Sequence, residues 1–173
     1  MSTQHGERAA PRPPRPQSAF LLAQIGAHAA GRFTERIKAL DLTPAQAGLL
    51  RLIAWEPGQS QQAIASKLGT PASRLVLLVD ALEERGLIER RRNLEDRRHY
   101  ALYLTETGGQ FMREQIAPIG KAHEDEICAG LNPDQRAQLH ELLERIAARQ
   151  GLTPGVHPGY RQTAPSPTSE QEF

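Results

Sequence analysis

Residues 60–108 read SQQAIASKLGTPASRLVLLVDALEERGLIERRRNLEDRRHYALYLTETG, and this stretch decides the fold. Its first part is helical: Ile64 and Leu68 anchor a short helix from about Gln59 to Lys67, which Gly69 ends. A second helix, from Pro71 to Arg85, turns Leu75, Leu78, Val79 and Leu82 to one face and stops at Gly86. The period then changes to alternation. Leu87–Arg92 and His99–Leu104 read as two strands, with Tyr100, Leu102 and Leu104 on one face of the second, and Asn93–Arg98 is the hairpin tip. This order is a helix-turn-helix followed by a β-hairpin wing, the arrangement that seats a second helix in a major groove. Taken alone, many helical hairpins share it.

The hairpin carries a second signal. From Arg85 to Arg98 there are six arginines (Arg85, Arg90, Arg91, Arg92, Arg97, Arg98) against Glu89, Glu95 and Asp96, on a chain whose net charge is +1. A charge run is ordinarily a solvated face. Here it adjoins a candidate recognition helix, and arginine, planar, permanently charged and weakly hydrated, suits phosphates and narrow minor grooves.

Outward from this centre the signals remain helical. Leu22, Ile25, Ala29, Phe33, Ile37 and Leu40 step by three and four along a first helix, and Leu49, Leu50, Leu52 and Ile53 mark a second, from Ala45 to about Trp55. Thr43-Pro44, Thr70-Pro71 and Asn132-Pro133 each place a capping side chain before a proline, and Gln46 and Gln135 stand at capping-box spacing. Pro57-Gly58 breaks two helices apart, and Pro118 is expected to kink or interrupt a long helix that Thr105 caps. Leu139, Leu142, Leu143 and Ile146 mark the last helix. The expected fold is mainly α with a small β-hairpin wing. A winged helix-turn-helix lobe (43–105) is flanked by N- and C-terminal helices (17–41 and 106–150).

Four of the 13 prolines fall in Pro11–Pro16 and four more in Pro154–Pro167, with Gly, Ser, Gln and Thr around them. Residues 1–16 and 151–173 are therefore expected to be disordered tails. A basic arm through Arg8, Arg12 and Arg15 is the other reading of the first.

Composition excludes several classes. The 173 residues are 39% apolar and 24% charged, which suits a globular domain with tails, and no apolar run approaches the ~18 residues of a membrane span. The single cysteine, Cys128, leaves no internal disulfide and no paired-cysteine zinc site. It follows Glu124, Asp125 and Glu126, which should raise its pKa and leave a passive thiol. His123 to Glu126 has no metal-ligand spacing and reads as a solvated acidic turn. There is no phosphate loop, no nucleophile elbow and no HExxH, so neither an enzyme nor a cofactor is expected. The expected location is the cytoplasm.

At the wing the chain resembles a known family. Asn93-Leu94-Glu95-Asp96-Arg97-Arg98, followed by Leu102, Leu104, Thr105 and Gly108, is similar to the wing signature of the MarR family of transcriptional regulators. Leu42-Thr43-Pro44-Ala45-Gln46, Ser60-Gln61-Gln62-Ala63-Ile64-Ala65 and Leu82-Glu83-Glu84-Arg85-Gly86-Leu87-Ile88 fit the same family in order and spacing, so the resemblance spans about Phe20 to Gln150.

The resemblance implies a homodimer whose first and last helices intertwine, with two lobes addressing a palindromic operator on double-stranded DNA. Arg98 resembles the residue that enters the minor groove, and Asp96 the partner that shapes the wing tip. Arg97, Arg90, Arg91 and Arg92 are read as phosphate contacts, which set affinity rather than sequence preference. On the recognition helix Ser73, Arg74, Val76, Leu77 and Asp80 face outward, and Val76 and Leu77 are more apolar than the family pattern. Glu84 on the same side should lie beyond the DNA or pair with an arginine.

The resemblance further implies a repressor released by a small, often aromatic or phenolic, ligand. His28, Arg32, Arg51 and Trp55 are the candidate pocket residues; each is equally readable as packing or as an ion pair. No cysteine stands where the peroxide-sensing branch keeps its own. The alternative function is a winged-helix module that binds another protein through Val76 and Leu77.

Overall fold

The structure, a computed structural model, describes residues 15–92, 100–156 and 160. The elements run α1 (Ser18–Lys38), α2 (Pro44–Trp55), α3 (Gln61–Leu68), α4 (Ala72–Glu84), β1 (Ile88–Arg92), β2 (Tyr100–Leu104), α5 (Glu106–Phe111), a π turn (Met112–Ile116), α6 (Ala117–Ile127) and α7 (Pro133–Arg149). The fold is mainly α with one antiparallel hairpin, in which Ile88 pairs with Leu104, Arg90 with Leu102 and Arg92 with Tyr100.

Local chemistry sets most boundaries. Thr43 and Asn132 each form a complete capping box with Gln46 and Gln135, with proline in the first turn. Gly69 closes α3 in the left-handed conformation at φ 61°, and Thr105 caps α5 by accepting from the Gly108 N–H. Thr70 does not cap α4. Its N–H donates to Ala65 O to finish α3, its side chain turns into the core with Oγ1 unpartnered, and Pro71 takes the N-cap position without a side-chain bond. The turn is too short for Thr70 to serve both helices.

Pro118 does not break the long helix. The turn before it widens instead: Ala117 N–H reaches back to Met112 O, and Pro118, which has no N–H to donate, sits in the first turn of α6. The segment after Pro57 is more than a break. Gly58 N–H donates to Leu102 O and Leu102 N–H to Gln59 O, and a bridge pairs Ser60 with Ala101, so this segment edges the hairpin. That bridge buries Ala101, while Tyr100, expected inward beside Leu102, stands clear at the open end.

The core lies in the lobe. Leu49, Leu50 and Ile53 of α2 meet Ile64 and Leu68 of α3, Leu75, Val79 and Leu82 of α4, and Ile88 and Leu102 of the hairpin. Ile37, at the end of α1, and Ile116, before α6, extend this core to the long helices. Most of α1 and all of α7 bury almost nothing: Phe20, Leu22 and Ile25, and Leu142, Leu143 and Ile146, are exposed. The expected disordered tail from 151 onward fails at two points. Val156 packs against the core and Tyr160 is only 2% exposed, because the α2 surface offers Tyr160 a carbonyl and a glycine-lined hollow.

Candidate nucleic-acid interface

The outward face of α4 is as the periodicity predicts. Leu75, Val79 and Leu82 are buried, while Ser73, Val76, Leu77 and Asp80 are exposed, Leu77 at 69%. Arg74 is half-buried. Asp96, Arg97 and Arg98, the wing-tip candidates, lie outside the described residues.

The strand arginines divide by partner. Arg90 forms ion pairs with Asp80 and Glu83 of α4, and Glu83 also accepts from the Arg90 backbone N–H at 3.2 Å. Burial works against the charged guanidinium, but Asp80 and Glu83 outweigh it and raise its pKa. Arg90 therefore staples β1 to α4 and neutralises two carboxylates on a surface that should welcome phosphate. Arg91 pairs with Glu89 at 2.5 Å and lies 4.6 Å over the Tyr103 ring. Arg92 is exposed at the end of β1. Glu84 is exposed, and its neighbour Glu83 is the one that meets Arg90.

Two contacts fix the lobe to α5. Gly108 passes so close to the residue before β1 that a Cβ there would lie 1.8 Å from Leu87 O. The Thr105 hydroxyl donates to Gly86 O at 2.6 Å. Neither strand nor helix could approach so closely with a side chain between them.

A cavity of about 540 Å³ opens between α1, α2 and the π turn with α6. Its walls include Phe33, Trp55, Met112, Ile116 and Val156, with Arg51 and Lys121 as cations. The Arg51 guanidinium lies 4.2 Å over the Trp55 ring. Of the four candidate pocket residues the structure brings Arg51 and Trp55 together there, while His28 is a residue of α1 outside the cavity wall and Arg32 is committed elsewhere. Arg32 and Arg36 both hold Glu126, whose pKa falls to about 2 chiefly through the Arg32 bond.

The 123–126 cluster is a set of contacts rather than a solvated turn. His123 packs against Phe33, with ring centroids 5.5 Å apart, and burial, then Arg36, lowers its pKa. Asp125 bridges Lys121 and Arg136, and Glu124 accepts from the Cys128 thiol, whose pKa burial and that bond raise. Among the described residues no group of His, Cys, Asp and Glu could hold a metal, and no helix is long and apolar enough to cross a membrane.

Sequence periodicity missed Tyr160, whose hydroxyl donates to Ala45 O. A Cβ on Gly48 would lie 2.9 Å from that hydroxyl. The available signal was Gly48 itself, since glycine inside a helix costs about 1 kcal/mol against alanine and asks for a packing reason.

A helix-turn-helix lobe with a hairpin wing, carried between long helices with bare apolar stripes, defines the class as a winged-helix regulator. A profile of the MarR family matches residues 42–100. A Thauera aromatica protein, described as a putative transcriptional regulatory protein for the hcr operon, is 35% identical over 113 residues, covering 65% of this chain and 68% of the relative. The structure of the transcriptional repressor CouR bound to a 23-mer DNA duplex is 33% identical, with a TM-score of 0.66 over 76% of this chain and 92% of CouR. A MarR crystal structure matches at 26% identity and a TM-score of 0.68, over 86% of this chain and 96% of that one. The chain belongs to the MarR family of transcriptional regulators.

Proposed function

We propose that this chain binds double-stranded DNA as a homodimer on a palindromic operator, and that it is a repressor released by a small aromatic or phenolic anion. The observation that carries the DNA reading is the Arg90 staple, which holds the exposed face of α4 and the basic hairpin as one surface. The DNA-bound state of CouR supports it. On that surface Ser73, Arg74, Val76, Leu77 and Asp80 face the major groove. Val76 and Leu77 meet thymine methyl groups, Arg91, Arg92 and Arg97 meet phosphates, and Arg98, shaped by Asp96, enters the minor groove.

The dimer follows from the exposed stripes of α1 and α7, which a lone chain would leave in water. The ligand site is the cavity on α2 and α6, where apolar walls take a ring and Arg51 and Lys121 take its negative charge. A ligand there acts by favouring one separation of the two lobes, which requires unequal affinity for the two dimer conformations.

Fluorescence anisotropy with duplex from the chain's own upstream region, against scrambled duplex over a salt series, tests this reading. Selective binding at two chains per duplex that weakens steeply with salt is expected. The exposure of Leu77 favours one other reading, a surface for a protein partner. Binding that ignores both salt and Arg98→Ala would establish that reading instead.

A further inference from the structure

The segment after α7 is built into the wall of the cavity. Gly155 and Val156 line it, and a Cβ added at Gly155 would lie 3.5 Å from the Trp55 indole. Tyr160 anchors the segment on α2. Its ring fills the hollow over Gly48, another residue of the cavity wall, and its hydroxyl donates to Ala45 O, so that only 2% of the residue is exposed. A lone aromatic residue beyond the last helix would not bury itself so fully unless α2 offered both a hydrogen-bond acceptor and a space without a side chain. Both are present, and both lie on the helix that also carries Arg51 and Trp55.

We propose that the C-terminal segment completes the ligand site. Gly155 and Val156 form one wall, Tyr160 is a positioning residue that holds this wall in place, and aromatic carboxylates bind more tightly when it is docked. The proposal rests on the cavity being the effector site. It adds that an element outside the helix-turn-helix lobe and the long helices sets affinity for the ligand. Binding of the ring and docking of the segment should therefore reinforce each other, since each shields apolar surface of the other from water.

The test uses 2-naphthoate as probe and calorimetric titration of four proteins: the full chain, a chain ending at Gly151, Tyr160→Ala and Tyr160→Phe. The only tryptophan, Trp55, reports docking separately by its emission. Loss of the segment should shift that emission to the red and weaken 2-naphthoate about tenfold, as expected for opening one apolar wall to water. Tyr160→Ala should behave like the shortened chain, and Tyr160→Phe, which keeps the ring, should lie between it and the full chain. Equal affinity in all proteins would overturn the wall. Tighter binding by the shortened chain would also overturn it, making the segment a competitor. Failure of 2-naphthoate to bind the full chain, with the emission shift intact, would overturn the ligand reading beneath it.

Discussion

Arg85 at the end of α4 donates from its guanidinium to the carbonyl oxygen of Asp41, at 2.9 Å, and to that of Leu40, at 3.1 Å. Asp41 is the one described non-glycine residue with positive φ, at 52°, in the turn between α1 and α2. The contact thus ties the recognition helix to the end of the long N-terminal helix.

Arg85→Ala should loosen that tie. Arg85 is exposed, so the loss of its charge-assisted bonds should cost only about 1 kcal/mol, a fall in Tm of about 2–4 °C for a chain this size. Operator affinity should fall while the salt slope stays constant, because no phosphate contact is removed. Thermal unfolding and anisotropy over a salt series check the two halves.

Gly108→Ala should be far more damaging. The added Cβ meets backbone, not a yielding side chain, so α5 and the start of the hairpin must separate. A loss of about 3 kcal/mol or more is expected, read as a lower urea midpoint.

Arg90→Ala should weaken binding to every duplex alike, since it uncovers Asp80 and Glu83 on the proposed DNA face. Adding Asp80→Asn and Glu83→Gln should recover much of the loss. A direct phosphate contact by Arg90 predicts no such recovery, and comparing the single with the combined variants decides.

Arg98→Ala should cost about 1–3 kcal/mol on the specific site and little elsewhere. Arg91→Ala should instead flatten the salt slope by about one unit on all duplexes. Identical behaviour of the two variants would contradict the division of roles.

The Glu126 pair supplies a pH dependence. Held at about 2 by Arg32 and Arg36 against an ordinary 4.5, the carboxylate adds stability that is present above pH 4.5 and is lost as pH falls from there towards 2. Glu126→Gln should flatten the acid limb of the Tm profile between those values and lower Tm at pH 7.

The sequence announces what is local. Thr43 and Asn132 declare their helices because cap, proline and glutamine stand within four residues of one another. Leu75, Val79 and Leu82 do so by helical spacing, and the hairpin by alternation. Thr70 misleads because the same local pattern also serves the end of α3. The Arg90 staple and the Ser60–Ala101 bridge depend on which residues meet after folding, and a short window of sequence does not reveal that pairing. For the pocket, Arg51 and Trp55 share one helix and can be found together, whereas Met112, Ile116 and Tyr160 reach it only through the packing of distant elements.

The widened turn before Pro118 has a mechanical meaning. Each residue of an α-helix turns the next by about 100°, so one residue more or less in Met112–Ile116 re-aims everything after it. On one side of this turn Gly108 is pressed against Leu87; on the other, Glu126 faces Arg32 and Arg36. The long helix thus has two independent phases, joined by an offset. Removing a single residue from that offset would leave both ends of the helix intact and turn each away from its neighbour.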